Sequence, residues 1–188
     1  MKKGFIMQQP ISYQKITGAF NFEAVYQAAV NHASDGANFL EIGCWYGCST
    51  IYLAELIKIS GKKIKLHVID TFDGAGNSVP NEVNQEKAFI QNVKDADVTD
   101  IIEIHKGTSD SVFDSGCFDK DFFDFVFIDG SHEYEDVKND INNSLETTKP
   151  DGIVAGHDYQ HPPVRKAVDE LLDNLLFHQN SWIYNVPN

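Results

Sequence analysis

Two rhythms of apolar residues alternate along this chain. Phe22-Glu23-Ala24-Val25-Tyr26-Gln27-Ala28-Ala29-Val30 repeats at helical spacing, with Asn21 placed to cap it and Gly36 to close the segment. Denser apolar runs predict strands at Phe39–Ile42, Ile64–Asp70, Ile101–His105, Phe123–Asp129 and Gly152–Ala155. Between them the spacing predicts helices over Ser49 to about Ile59, Asn81 to Val93, Ser109 to Phe113, Glu133 to Thr147 and Val164 to Leu176, with Pro150-Asp151-Gly152 as a turn before the fifth strand. Strands alternating with helices imply a doubly wound α/β fold, a mainly parallel sheet covered on both faces. The aromatic run ending in Asp129 suits a central strand of that sheet. Leu175-Leu176-Phe177-His178 and Trp182-Ile183-Tyr184 then predict a short terminal hairpin. With no repeat, low-complexity tract or linker, residues 1–188 read as one domain, an arm and leading helix over 1–36 and a core over 37–188.

The sharpest local feature is Asn38-Phe39-Leu40-Glu41-Ile42-Gly43-Cys44-Trp45-Tyr46-Gly47-Cys48-Ser49-Thr50, a strand that ends in a glycine turn and opens a helix. Glycines let backbone amides approach a ligand, and a helix start offers free N–H groups to an anion. The strand His67-Val68-Ile69-Asp70 answers it with an acid suited to two ribose hydroxyls. The spacing is ExGxxxGxS, not the GxGxxG that seats a pyrophosphate, and Glu41 would repel a diphosphate. It suits a cofactor with a positive amino group, as S-adenosylmethionine has, with that cofactor's carboxylate at Ser49 and the helix start.

From about Phe39 to Glu170 these motifs resemble the class I methyltransferases, especially the catechol O-methyltransferase type and the macrocin O-methyltransferase-like group. The resemblance implies a Rossmann-like, mostly parallel seven-stranded sheet with an antiparallel terminal hairpin. It assigns Glu41, Gly43, Gly47 and Ser49 to the methionine end, Asp70 to the ribose with Thr71 beside it, and Trp45 to the aromatic neighbourhood of the cofactor. Ser109 and Asp110 follow the third strand and either meet the adenine edge or cap a helix. The loop from Thr71 to Pro80, rich in glycine and turn formers, reads as a wall of the site or a surface connection.

Adjacent strand ends carry Asp129-Gly130-Ser131-His132 and Gly156-His157-Asp158, so two carboxylates are expected in one crevice. Such a pair is costly unless protonated or metal-bound. The resemblance implies Asp129, His157 and Asp158 as ligands of a divalent metal, Mg²⁺, Mn²⁺ or Fe²⁺. His157 departs from the usual oxygen ligand and favours a softer ion than Mg²⁺. His132 stands three residues after Asp129, where catechol-type enzymes carry a lysine, and is the candidate base with Asp129 as the other catalytic candidate; the alternatives for His132 are a helix cap or a cofactor contact.

A formal charge of −13 argues against nucleic acid or an anionic membrane surface as partner, since both need a basic footprint. An odd count of three cysteines points to a reducing compartment, and with no recognisable secretory signal or spanning run the expected location is the cytoplasm. The expected acceptor is a small hydroxylated molecule, for which the macrocin-type resemblance implies a sugar or natural-product scaffold. Little sequence precedes Phe22, so a lid over the acceptor is short or comes from a second subunit of a homo-oligomer. Two other readings stay open: a nicotinamide-dependent oxidoreductase, and a cofactor-binding module without turnover.

Overall fold

The computed structural model describes residues 9–18, 20–74 and 84–188. In chain order the elements are α1 (Glu23–His32), β1 (Asn38–Ile42), α2 (Cys48–Ser60), β2 (Lys65–Asp70), α3 (Gln85–Asp95), β3 (Ile102–Lys106), α4 (Ser109–Asp114), β4 (Phe123–Ile128), α5 (Tyr134–Thr147), β5 (Thr148–Gly156), α6 (Pro162–Leu171), β6 (Leu176–His178) and β7 (Ser181–Asn185). One seven-stranded sheet runs in the order β3-β2-β1-β4-β5-β7-β6. Strands β1 to β5 pair in parallel, and β7 lies antiparallel between β5 and β6. The chain winds outward from β1 through β2 to β3 and then returns to β4, so a crevice is expected at the carboxyl ends of β1 and β4.

Strand alternation divides the core. Phe39, Phe125 and Phe127 face a cluster with α1, α2 and α3, while Leu40, Ile42, Val126 and Ile128 face one with α5 and α6. Phe123 shares the parity of Phe125 but joins the opposite cluster, at the point where the β4–β5 register shifts. Trp182 of β7 lies against Gly156, where a Cβ would stand 2.5 Å from its ring. Among the described residues no helix is long and apolar enough to cross a membrane.

Several expected boundaries move. Pro150-Asp151-Gly152 is not a turn before β5 but lies inside it, with Asp151 at a φ of 62° beside the register shift. The last helix stops at Leu171 rather than Leu176: Leu172 is extended and Asn174 has a φ of 55°, so the following leucines leave the helix and feed β6. Asn21 does not cap α1. Phe22 takes that position without a side-chain bond, and Asn21 Oδ1 lies 2.8 Å from His157 Nε2. The helix expected from Asn81 begins at Gln85, capped by Asn84 through the Lys87 amide; Asn81 and the loop from residue 75 lie outside the described residues.

Candidate active site

Backbone hydrogen bonding continues one residue beyond four strand ends and aligns their side chains along one edge. The Gly43 amide donates to Ile69 O (2.9 Å), Gly107 to Asp70 O (3.0 Å), Asp129 to Ile42 O (2.8 Å) and His157 to Ile128 O (3.0 Å). Gly43 has a φ of +86°, and a Cβ there would stand 2.2 Å from the Asp129 carbonyl oxygen. Glycine is therefore required for β1 and β4 to close together at this end. Gly47, at a φ of +88°, takes the N-cap position of α2.

Asp70 organises the turn. Its Oδ2 accepts the Cys44 and Trp45 amides, both at 2.8 Å, and its Oδ1 accepts the Phe72 amide at 2.7 Å. Thr71 next to it donates to Asp73 Oδ1 at 2.7 Å. Trp45 and Phe72 sit at φ of 47° and 55°, unusual for bulky side chains, and Asp158 at 58° stands on the opposite lip. Strain of this kind collects where structure is held for function. The buried Trp45 indole N–H has no partner among the described residues.

Glu41 lies beneath the turn, fully buried. Its Oε1 accepts hydroxyls from Tyr26 and Ser49, both at 2.7 Å, and Thr50 bonds its Oε2. Burial raises the Glu41 carboxyl above the usual range against the opposing pull of the Thr50, Ser49 and Tyr26 hydroxyls. Glu41 and Ser49, expected at the methionine end, are thus bonded to each other and tie α1, β1 and α2 together. Tyr26 and Thr50 were invisible as partners in the sequence, because their link to Glu41 exists only once the two helices pack on β1.

On the opposite lip, Asp129, His132 and Asp158 bring one ligand atom each within 4.8 Å of one another. His132 Nε2 is 2.7 Å from Asp158 Oδ2, and His157 Nδ1 is 3.3 Å from Asp158 Oδ1 and 3.7 Å from Asp129 Oδ1. The Asp158 carboxyl is held well below its ordinary range by hydrogen bonds from His132 and His157. Burial, the Asp158 charge and Glu41 instead push Asp129 well above that range. The His132 imidazole is raised by its bond to Asp158. His161 Nε2 is 3.8 Å from Asp158 Oδ1, and its ring stacks on His132 at 4.9 Å. The approach of His161 depends on the tight turn after β5, for which the sequence carried no signal.

A family model described as a methyltransferase domain matches residues 40–159, the span that holds both lips of this crevice. The chain belongs to this family. Its fold is that of the class I, S-adenosylmethionine-dependent methyltransferases. Among solved structures it is similar to the O-methyltransferase NovP, with a TM-score of 0.71 at 17% identity over 89% of this chain and 80% of that one. It is also similar to the O-methyltransferase TomG from Streptomyces achromogenes, solved with S-adenosylmethionine, with a TM-score of 0.69 at 16% identity over 98% and 93%. An O-methyltransferase from Bacillus cereus, solved with S-adenosylhomocysteine, gives 0.67 at 12% over 95% and 91%. No curated protein matches the chain.

Within this methyltransferase fold, Ser109 and Asp110 turn toward α5. Thr108, not Ser109, caps α4, accepting the Ser111 amide. Asp110 accepts from Asn139 at 3.0 Å and Asn143 at 3.3 Å, and Ser109 bonds Asp140. Asp140 is 2% exposed, and its Oδ1 has no partner among the described residues. Burial pushes its carboxyl from 3.8 up to about 7, which favours the protonated form in the folded state. Its contribution to stability is therefore complete below the unfolded value and is lost as pH rises toward the folded one. Asp140→Asn should match the native chain near pH 4 and exceed it above pH 7, by on the order of a few kcal/mol, because each tenfold change in proton affinity between the two states is worth about 1.4 kcal/mol. Urea unfolding at both pH values is the check; parallel stability curves would mean that burial does not shift the Asp140 carboxyl.

Proposed function

We propose that this methyltransferase transfers a methyl group to a hydroxyl oxygen of a small acceptor, assisted by a divalent cation between the β4 and β5 ends. The observation that carries this reading is the convergence of Asp129, His132, His157 and Asp158 beside the glycine turn. The solved relatives cited above are O-methyltransferases, which agrees with oxygen as the acceptor atom.

The donor set fits a cation. His157 Nε2 lies 2.8 Å from Asn21 Oδ1, and its Nδ1 faces Asp158 and Asp129. The Asp158 charge is among the causes that push the Asp129 carboxyl up, a repulsion between neighbouring carboxylates that a divalent ion would remove. Asp129, Asp158 and His157 would hold it, and with one imidazole in the set Mn²⁺ or Fe²⁺ suits better than Mg²⁺. Bound S-adenosylmethionine supplies an electrophilic methyl on its sulfonium, and the cation supplies charge that makes an acceptor hydroxyl more acidic.

The chain's own residues position and deprotonate. Asp70, whose carboxylate keeps acceptor capacity beyond the three backbone amides it already takes, would hold the ribose hydroxyls. The side chain of His132 is 50% exposed while that of His157 is 15%, so His132 is the imidazole an acceptor can reach. Asp158 holds the His132 Nε2–H, leaving Nδ1 to take the hydroxyl proton as the methyl passes from sulfur to oxygen. Methyl transfer to hydroxylated sugars and phenols, followed with and without EDTA and with Mn²⁺, Fe²⁺ or Mg²⁺ restored, is the test. Loss on chelation and recovery best with Mn²⁺ or Fe²⁺ is expected; full activity in metal-stripped protein would remove the cation from the reading.

A further inference from the structure

A second cluster of ligating atoms lies on the β2–β3 edge, where His67 and Glu103 are register partners and His105 projects from the same face of β3 as Glu103. It is set back from Asp70 by three residues of β2, roughly 10 Å at about 3.3 Å per residue. His67 Nδ1 is 3.1 Å from His105 Nε2, and His105 Nε2 is 3.7 Å from Glu103 Oε1. One ligand atom from each residue lies within 4.8 Å of the others. We infer that His67, Glu103 and His105 form a second divalent-cation site, of the nitrogen-rich class that takes Zn²⁺. The site is independent of the crevice and of the reaction proposed there.

Ligand atoms on a tetrahedral Zn²⁺ at about 2.1 Å stand roughly 3.4 Å apart, and the two measured separations bracket that value. The tautomer of His67 is set by what surrounds its other nitrogen. Nε2 is buried with no hydrogen-bond partner among the described residues, and the rings of Phe118, Phe122 and Phe123 surround the imidazole with centroids 5.5 to 5.7 Å away. Aromatic faces carry negative charge and tolerate an N–H far better than a lone pair. With the hydrogen on Nε2, the Nδ1 lone pair is directed at His105 Nε2, which donates to it until an ion takes that hydrogen's place. Lys65 Nζ lies 4.0 Å from Glu103 Oε2, so it engages the oxygen that does not face the histidines.

A cavity of about 260 Å³ lined by His105, Lys106, Ser111, Val112, Ser115 and Cys117 lies beside His105. An ion between His67 and His105 would pin β3, and with it the β3–α4 turn, to β2.

The test is a titration of the full chain with Zn²⁺ alone, followed by ¹⁵N NMR of the imidazole nitrogens. Saturation should move the His67 Nδ1 and His105 Nε2 resonances together. Glu103→Gln, a substitution at an exposed side chain, should weaken that response at least about tenfold, the scale of loss seen when even a supporting group around a metal is removed. His67 and His105 resonances that stay in place at saturating Zn²⁺ would overturn the site, as would a response that Glu103→Gln leaves unchanged. His132 and His157 report on the crevice in the same spectra, so the failure of one site is distinguishable from the failure of the other.

Discussion

Gly43→Ala should abolish methyl transfer and cofactor binding together. The added Cβ would stand 2.2 Å from the Asp129 carbonyl oxygen and 2.6 Å from Gly130 Cα, and neither backbone atom can rotate away as a side chain would. Relief requires β1 and β4 to separate at the end where the glycine turn and Asp129 meet. Overpacking of this kind costs about 1–3 kcal/mol, and an alanine held at positive φ adds about 1–3 kcal/mol of strain. Gly36→Ala is the matched control, because Gly36 has nearly the same φ, +84°, but no atom of the described residues within 4 Å of its would-be Cβ. Calorimetric titration with S-adenosylhomocysteine and urea unfolding read the two effects separately. Gly36→Ala should lose stability alone, and Gly43→Ala more stability plus the affinity. Native affinity in Gly43→Ala would place the cofactor away from this turn.

The same glycine shows what the sequence could reveal. A turn glycine between an apolar strand and a helix is legible because only glycine tolerates the backbone it must adopt, and the strand alternation around it is equally local. Even the unusual β4, with Phe125 and Phe127 on one face and Val126 and Ile128 on the other, follows from period-two spacing. The β4–β5 register shift beside Phe123 was not legible, since it arises from how β5 pairs and not from β4 itself. The end of α6 was hidden for a related reason: the leucines after Leu171 extend the apolar pattern, but an antiparallel partner in β7 recruits them to β6.

Residues chosen for chemistry divide along similar lines. Asp129, His132, His157 and Asp158 meet because each follows or lies near the end of a parallel strand, and strand ends in a doubly wound sheet converge by topology. Glu41 was legible as important, but its immediate partners were not: three hydroxyls from α1 and α2 enclose it, so its observed bonds hold the turn from below. Asp110 looked equally available and is drawn to Asn139 and Asn143 on a helix some thirty residues later. The position of an acid at a strand end is local information. Whether its oxygens are left for a ligand depends on long-range packing.

His132→Ala should lower the methyl-transfer rate by about 10²–10⁴-fold, the usual contribution of a positioned general base. Cofactor affinity should change little, because His132 lies on the β4–β5 lip and not on the glycine turn. Its imidazole is raised by the bond to Asp158, so the native enzyme must lose a proton from a group that titrates above the ordinary imidazole range before Nδ1 can accept one. The rate should consequently climb with pH through that raised value, and the climb should vanish in His132→Ala. Asp158→Asn would move the limb to lower pH by removing the charge that raises it, but it also removes a proposed cation ligand, so His132→Ala is the cleaner variant. Rate against pH at saturating cofactor and acceptor, together with calorimetric affinity, checks both halves. A variant that loses cofactor binding and keeps its turnover at saturation makes His132 a binding residue and not the base.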